Sequence, residues 1–329
     1  MPARPRDVRR LDEDDVRVRP GRGSRPRSKR RPSHADAADG IVTAVDRGRY
    51  GVLVNGRAVT AMRARELGRA GIVVGDHVRV VGDLGGGADS LARIVRRDER
   101  ETVLRRTADD DDPTERVLVA NADQLVIVAA LADPDPSFGL IDRCLVAALT
   151  DGLEPLLCLT KSDLANADDA LARYAQLDVP AVVTAHGSGL EALTERLRDQ
   201  VSVFVGHSGV GKSTLINALV PDANRATGAV TAIGKGRHTS SSAVAFPLPG
   251  GGWVVDTPGV RSFGLAHVGA DDLLWAFPDL EDGAVRCPPS CEHQQAAAGC
   301  ELDAWVRGGE STAERLVAFR RLLASRADL

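Results

Sequence analysis

The sequence predicts a multidomain chain: a small β-barrel of OB type, an α/β domain built around a phosphate-binding loop, and a short helical segment closed on cysteines and a histidine. Three observations predict it. Short alternating strands with glycine turns fill 38–104, apolar strands alternate with helical stretches from 117, and four metal-ligating side chains crowd into 287–300.

At 329 residues, 43% hydrophobic and 27% charged, the chain is long enough for two or three globular cores. Its longest apolar runs, such as QLVIVAALA at 124–132, fall well short of the ~20 residues of a membrane helix. The N-terminal MPARPRDVRR has no apolar stretch behind its charges. The expectation is a cytoplasmic, monomeric protein with no membrane attachment. Three of the five cysteines cluster near the C-terminus, while Cys144 and Cys158 sit in apolar context and read as core residues.

The net charge of −4 conceals an asymmetry, because residues 1–32 carry twelve Arg and Lys against five Asp and Glu. Rich in Pro, Gly and Ser and without hydrophobic periodicity, residues 1–37 read as a disordered basic arm, suited to a polyanion or to solubility alone. Arginine outnumbers lysine 38 to 4. Outside the arm the surviving lysines are Lys161, Lys212 and Lys235, and all three fall in segments read below as nucleotide-binding.

GIVTAVDRGRYGVLVNGRAVTAMRA (40–64), followed by DHVRVVG and SLARIVRR, gives the barrel its strands over 38–104, an SH3-like barrel being the alternative. Such barrels often carry RNA on one face. Tyr50 is the only aromatic here, so any RNA contact would depend on charge and shape. TADDDDPTE (107–115) reads as an exposed linker, placed at 105–116. Residues 117–267 then alternate strand and helix in the manner of a mostly parallel sheet, with ligands expected at the C-terminal strand ends.

GHSGVGKST (206–214) carries Gly206, Gly211, Lys212 and Ser213 in phosphate-loop spacing, between the strand VSVFV and a helix. Gly206, His207, Ser208, Gly209, Val210 and Gly211 would curl their N–H groups around the phosphates, with Thr214 opening the helix behind them. Lys212 would reach the β and γ phosphates and Ser213 would ligate Mg²⁺. Forty-three residues past Ser213, WVVDTPG ends a strand in Asp256-Thr-Pro-Gly259, suited to holding Mg²⁺ through water and to sensing the γ phosphate. GAVTAIGKGRHTSSS (228–242) lies between them as an expected switch loop, with Thr239 the first candidate for a second Mg²⁺ hydroxyl. Position 260, where many GTPases place a water-orienting Gln, is Val, and His238 is the candidate substitute.

ATPases and kinases share those parts, so the base site decides. TKSD (160–163) ends an apolar strand: Asp163 would accept both guanine N1–H and N2–H, the Lys161 stem would cover the ring, Thr160 stands in the usual Asn position, and Ser162 lies between. Another strand ends in Thr184-Ala185, where a backbone N–H would meet guanine O6. The order is base, base, phosphate, switch, switch, which a parallel sheet tolerates because order in space need not follow order in sequence.

NADQLVIV, TKSDL, GHSGVGKSTLINAL, GKGRHTSS and DTPGVRSFGL, followed by a Cys/His cluster, resemble the circularly permuted, ribosome small-subunit-dependent GTPase A family (RsgA/YjeQ type), over about residues 40–325. The resemblance implies an N-terminal OB fold, a circularly permuted GTPase domain, a zinc-binding C-terminal domain, late maturation of the small ribosomal subunit through contact with its rRNA, and GTP hydrolysis to GDP stimulated by that subunit. It also implies that His238 occupies the family's proposed catalytic position. CPPSCEHQQAAAGC supplies Cys287, Cys291, His293 and Cys300, a set suited to one structural tetrahedral Zn²⁺ in a helical domain over 268–329. Two other readings stay open: an rRNA-binding checkpoint that uses GTP mainly as a switch ligand, and a P-loop ATPase or kinase.

Overall fold

The computed structural model describes residues 34–67, 71–87, 90–109, 112–220, 243–257, 265, 268–294 and 299–325. Five strands, β1 (Ala38–Asp46), β2 (Arg49–Val54), β3 (Arg57–Arg63), β4 (His77–Gly82) and β5 (Ala92–Arg97), close on themselves in the order β1-β2-β3-β5-β4-β1. Only β3 and β5 pair in parallel. Arg47-Gly48 and Asn55-Gly56 each put both turn residues at positive φ (44° and 84°, 49° and 76°), the turn hand that matches strand twist. Val42, Val52, Val59, Val80 and Ile94 fill the interior. Tyr50 joins them at 7% exposure, so the barrel's one aromatic is core and no stacking platform.

Residues 105–116, expected as a linker, instead belong to a hairpin of β6 (Val103–Asp109) and β7 (Asp112–Ala120). Its apolar ends explain the difference: Leu104 and Val119 are fully buried in the main core. Arg105 ties it to Asp151 at 2.7 Å.

Next come β8 (Gln124–Ala130), α1 (Phe138–Thr150), β9 (Glu154–Thr160), α2 (Asp168–Tyr174), β10 (Ala181–Val183), α3 (Leu190–Leu197), β11 (Val201–Val205), α4 (Lys212–Leu219), β12 (Val244–Pro247) and β13 (Trp253–Asp256). Their order in space is β10-β9-β8-β11-β13-β12, and every pairing is parallel except β12 with β13. β8 reads as a continuous apolar run because both faces are covered: Leu125, Ile127 and Ala129 enter one core, Val126, Val128 and Ala130 the other. Cys144 and Cys158 are buried as expected, and burial pushes both thiols up to about 12.

Nothing in the sequence announces one further pairing. β1 meets β12 at Ala44 and Val244, so barrel and α/β sheet run together as eleven strands, with Val45 packed against both cores.

The C-terminal helices are α5 (Ala270–Leu274), α6 (Pro278–Ala284), α7 (Leu302–Arg307) and α8 (Ala313–Ser325). They share the α/β core: Phe277 and Phe319 meet edge to face at 5.2 Å in the same cluster as Leu140 and Leu145 of α1. Arg315 fastens the lobe by donating to Asp279, Asp178 and the Gln176 carbonyl, each at 2.8 Å. Arg321 and Arg173 converge on buried Asp142 at 3.2 and 3.3 Å.

Candidate nucleotide and metal-binding sites

Because β8, β9, β10, β11 and β13 are parallel, the segments after them gather along one sheet edge. β11 is central, and the chain leaves it into residues 206–211 before α4 begins at Lys212. Gly209 and Gly211 take φ of +85° and +94°. A Cβ on Gly206 would lie 2.5 Å from the Val128 carbonyl, so the loop is pressed against β8 and only glycine fits. Lys212 forms an ion pair with Asp256 at the end of β13, and the Thr257 carbonyl lies 3.4 Å from its ammonium. The phosphate lysine and the DTPG aspartate, 44 residues apart in sequence, therefore meet.

The base segment is tied to this loop. Thr160 is buried and donates its hydroxyl to the Val210 carbonyl at 2.6 Å, which gives the residue in the usual Asn position a mechanical role. Lys161, at φ +60°, donates to the Asp133 carbonyl in the turn after β8, and the Ser162 N–H donates to the Thr184 carbonyl at 3.2 Å. Asp163 projects exposed at the same edge. His207, Ser208, Ser213 and Thr214 are exposed there too.

One expectation meets a different geometry. The Thr184 N–H donates to the Leu159 carbonyl at 2.7 Å and the Ala185 N–H to the Ser188 carbonyl at 3.2 Å, so contact from either to guanine O6 requires that bond to open. His238, Thr239 and Gly259 lie outside the described residues. Sequence reading missed Asp133, whose signal is the Asp/Pro turn that follows the apolar strand β8, and Asp271, which no local pattern marks.

Replacing Thr160 by Val preserves shape but leaves the buried Val210 carbonyl unpaired, a cost of about 1–3 kcal/mol. About tenfold weaker GTP binding by titration calorimetry is the expected outcome. Unchanged affinity would remove the tether from the account.

In the C-terminal lobe, the ligand atoms of Cys287, Cys291, His293 and Cys300 all lie within 4.8 Å of one another, a set that could hold a metal ion. His293 turns Nδ1 toward Cys300 Sγ at 3.9 Å, while its Nε2 lies 3.6 Å from Asp271, the carboxylate–histidine arrangement that orients metal-bound imidazoles. Arg320 donates to the His293 carbonyl at 3.1 Å, and the Glu301 N–H to Cys287 Sγ at 3.3 Å. Burial, with crowding by Cys300 and Cys291 added, pushes the Cys287 thiol up to about 11 against the Glu301 hydrogen bond.

A glycine-rich GKS loop on a central strand, the TKSD segment bonded to it, and the place of TKSD before that loop in sequence are the arrangement of a P-loop protein in permuted order. The family model described as RsgA GTPase matches residues 97–266. The small ribosomal subunit biogenesis GTPase RsgA of Chlorobaculum tepidum is 36% identical over 310 residues, covering 89% of this chain and 99% of that protein. The protein of the same name from Ectopseudomonas mendocina is 44% identical over 218 residues, 63% of each chain. Among solved structures, YjeQ from Thermotoga maritima is similar with a TM-score of 0.65 and 26% identity, over 89% of this chain and 99% of that one. YloQ, described as a circularly permuted GTPase, shares the fold with a TM-score of 0.63 at 23% identity, over 91% of this chain and 98% of that one. The chain belongs to the RsgA GTPase family and is a GTP-hydrolysing enzyme.

Proposed function

We propose that this GTPase binds the small ribosomal subunit, couples GTP hydrolysis to the subunit's late maturation, and leaves it in the GDP state. The observation that carries the reading is the bonded edge joining Asp163's segment, the phosphate loop and Asp256, in a chain whose full-length relatives are named for that process. The protein acts as a cytoplasmic monomer.

Asp163 selects guanine, and Lys161 lies along the base. The N–H groups of 206–211 and the ammonium of Lys212 take the charge that grows on the phosphate oxygens as the terminal bond breaks. Ser213 and Thr239 would hold Mg²⁺ through their hydroxyls and Asp256 through its carboxylate, and the ion would supply positive charge against the phosphate oxygens. Gly259 offers its N–H to the γ phosphate. His238 orients the attacking water, a task Val260 cannot perform. Cys287, Cys291, His293 and Cys300 fit one Zn²⁺, since three thiolates and an imidazole complete a tetrahedral set; with no position left open the role is structural.

GTP and ATP hydrolysis by the purified chain, with and without small ribosomal subunits, tests the whole reading. Slow GTP-specific turnover that rises at least about tenfold with the subunit is expected. GTP binding without stimulation would sink the ribosomal assignment, and equal use of ATP would sink the base assignment. His238→Ala should lower subunit-stimulated turnover about 10²-fold or more while GTP affinity holds, on the usual scale for a lost proton-handling or water-orienting group. Intact stimulation would move that role to another residue.

A further inference from the structure

Two large apolar side chains stand exposed on consecutive helices of the C-terminal lobe. Trp275, directly after α5, is 70% exposed, and Val285, directly after α6, is 84% exposed. Single exposed apolar residues are ordinary surface, but these two share a local design. One helical turn before Trp275 stand the exposed Asp271 and Asp272, and one turn before Val285 the exposed Glu281 and Asp282. A spacing of three and four residues sets each carboxylate pair beside its apolar neighbour. Glu281 and Asp282 have no ion-pair partner among the described residues. Since α6 is seven residues long, Trp275 and Val285 are no more than about 20 Å apart, within reach of a short extended segment.

Charge decides what covers this face. Residues 268–325 hold ten Asp and Glu against five Arg and no Lys. Three of those arginines are engaged: Arg315 with Asp279 and Asp178, Arg320 with Asp303, and Arg321 with Asp142. Arg286 stacks on Trp305 at 4.7 Å. A phosphate backbone approaching this lobe meets net repulsion. A cationic protein segment is instead drawn in by Asp272, Glu281 and Asp282, since Asp271 already faces His293; its apolar residue seats against the indole, and a guanidinium or ammonium finds the ring face of Trp275.

We propose that the face running from Trp275 to Val285 docks an Arg/Lys-rich segment, with at least one apolar residue, of a protein on the small ribosomal subunit. This rests on the ribosomal reading above and adds a protein contact where the charge excludes RNA.

The test uses the full chain with a non-hydrolysable GTP analogue, comparing Trp275→Ala and the doubly reversed Glu281→Lys/Asp282→Lys against the unaltered protein. Co-sedimentation is measured with intact small subunits and with protein-free small-subunit rRNA. Both variants should bind intact subunits five- to tenfold more weakly, with rRNA binding and subunit-free GTP hydrolysis unchanged. A photo-crosslinking residue at position 275 should label a basic subunit protein. Unchanged binding to intact subunits, tighter binding by the Lys variant to rRNA and subunits alike, or crosslinking to rRNA would each overturn the proposal. An unaltered chain that fails to bind subunits at all would overturn the ribosomal reading itself, and the docking face with it.

Discussion

Asp163→Asn is expected to convert the protein from GTP to xanthosine triphosphate. A carboxylate at 163 accepts from guanine N1–H and N2–H together, and adenine offers neither pair. Asparagine presents one acceptor and one donor, so it keeps the N1–H bond and faces the guanine amino group with its own N–H₂. Loss of a charge-assisted bond plus an unpaired donor costs roughly 3–4 kcal/mol, about 10²–10³-fold in GTP affinity. Xanthine replaces that amino group with an oxygen, which the asparagine donor meets. The structure favours a clean outcome: Asp163 is exposed, while the residues that hold the segment in place are Thr160 and Ser162, through Val210 and Thr184. Competition binding with GTP, ATP and xanthosine triphosphate measures it. If GTP remains preferred in the variant, the base is read by some other residue.

The parts legible in the sequence are those whose chemistry fixes residue type at short spacing. The phosphate loop needs glycine where a Cβ would strike the Val128 carbonyl, and lysine at the helix start, so nine consecutive residues carry it. The Cys/His set is equally local, spanning fourteen residues. The barrel was legible from alternation and its glycine turns, two of which, Arg47-Gly48 and Asn55-Gly56, take left-handed geometry. What escaped depends on partners far along the chain. The β6–β7 hairpin looks like a linker because its acidic run dominates the local composition, while Leu104 and Val119 disclose burial only once the core they enter exists. The β1–β12 pairing joins residues 200 positions apart through backbone groups, which leave no side-chain signature. Asp271 reaches His293 across two turns and a helix. The use of the Thr184 and Ala185 N–H groups within the protein reflects a tight turn whose closing residue, Ser188, has no distinctive type.

Removing the proposed Zn²⁺ should release the chain around its four ligands, residues 285–294 and 299–301, while leaving the GTP site intact. The four ligands sit between α6 and α7, where the described residues make few backbone hydrogen bonds and only His293 among the four is deeply buried. The rest of the lobe is held independently, by Phe277 at the start of α6 and Phe319 of α8 in the shared core and by Arg315 and Arg321 of α8 on the α/β domain. The metal's contribution is therefore local. In hydrogen exchange, a strong chelator or Cys300→Ser should raise exchange of amides in 285–294 and 299–301 by about 10²-fold, as a held segment moves to the low end of local stability. GTP affinity should stay within about twofold. The pH direction follows from the thiols: with Cys287 raised to about 11, metal binding must expel its proton, so each fall in pH favours the protonated, metal-free form. Protection of these amides should hold near pH 8 and fade toward pH 5 in a fixed, limiting amount of free Zn²⁺. Equal exchange with and without chelator would mean that packing alone orders the segment, and the four ligands would then be a cluster without a structural ion.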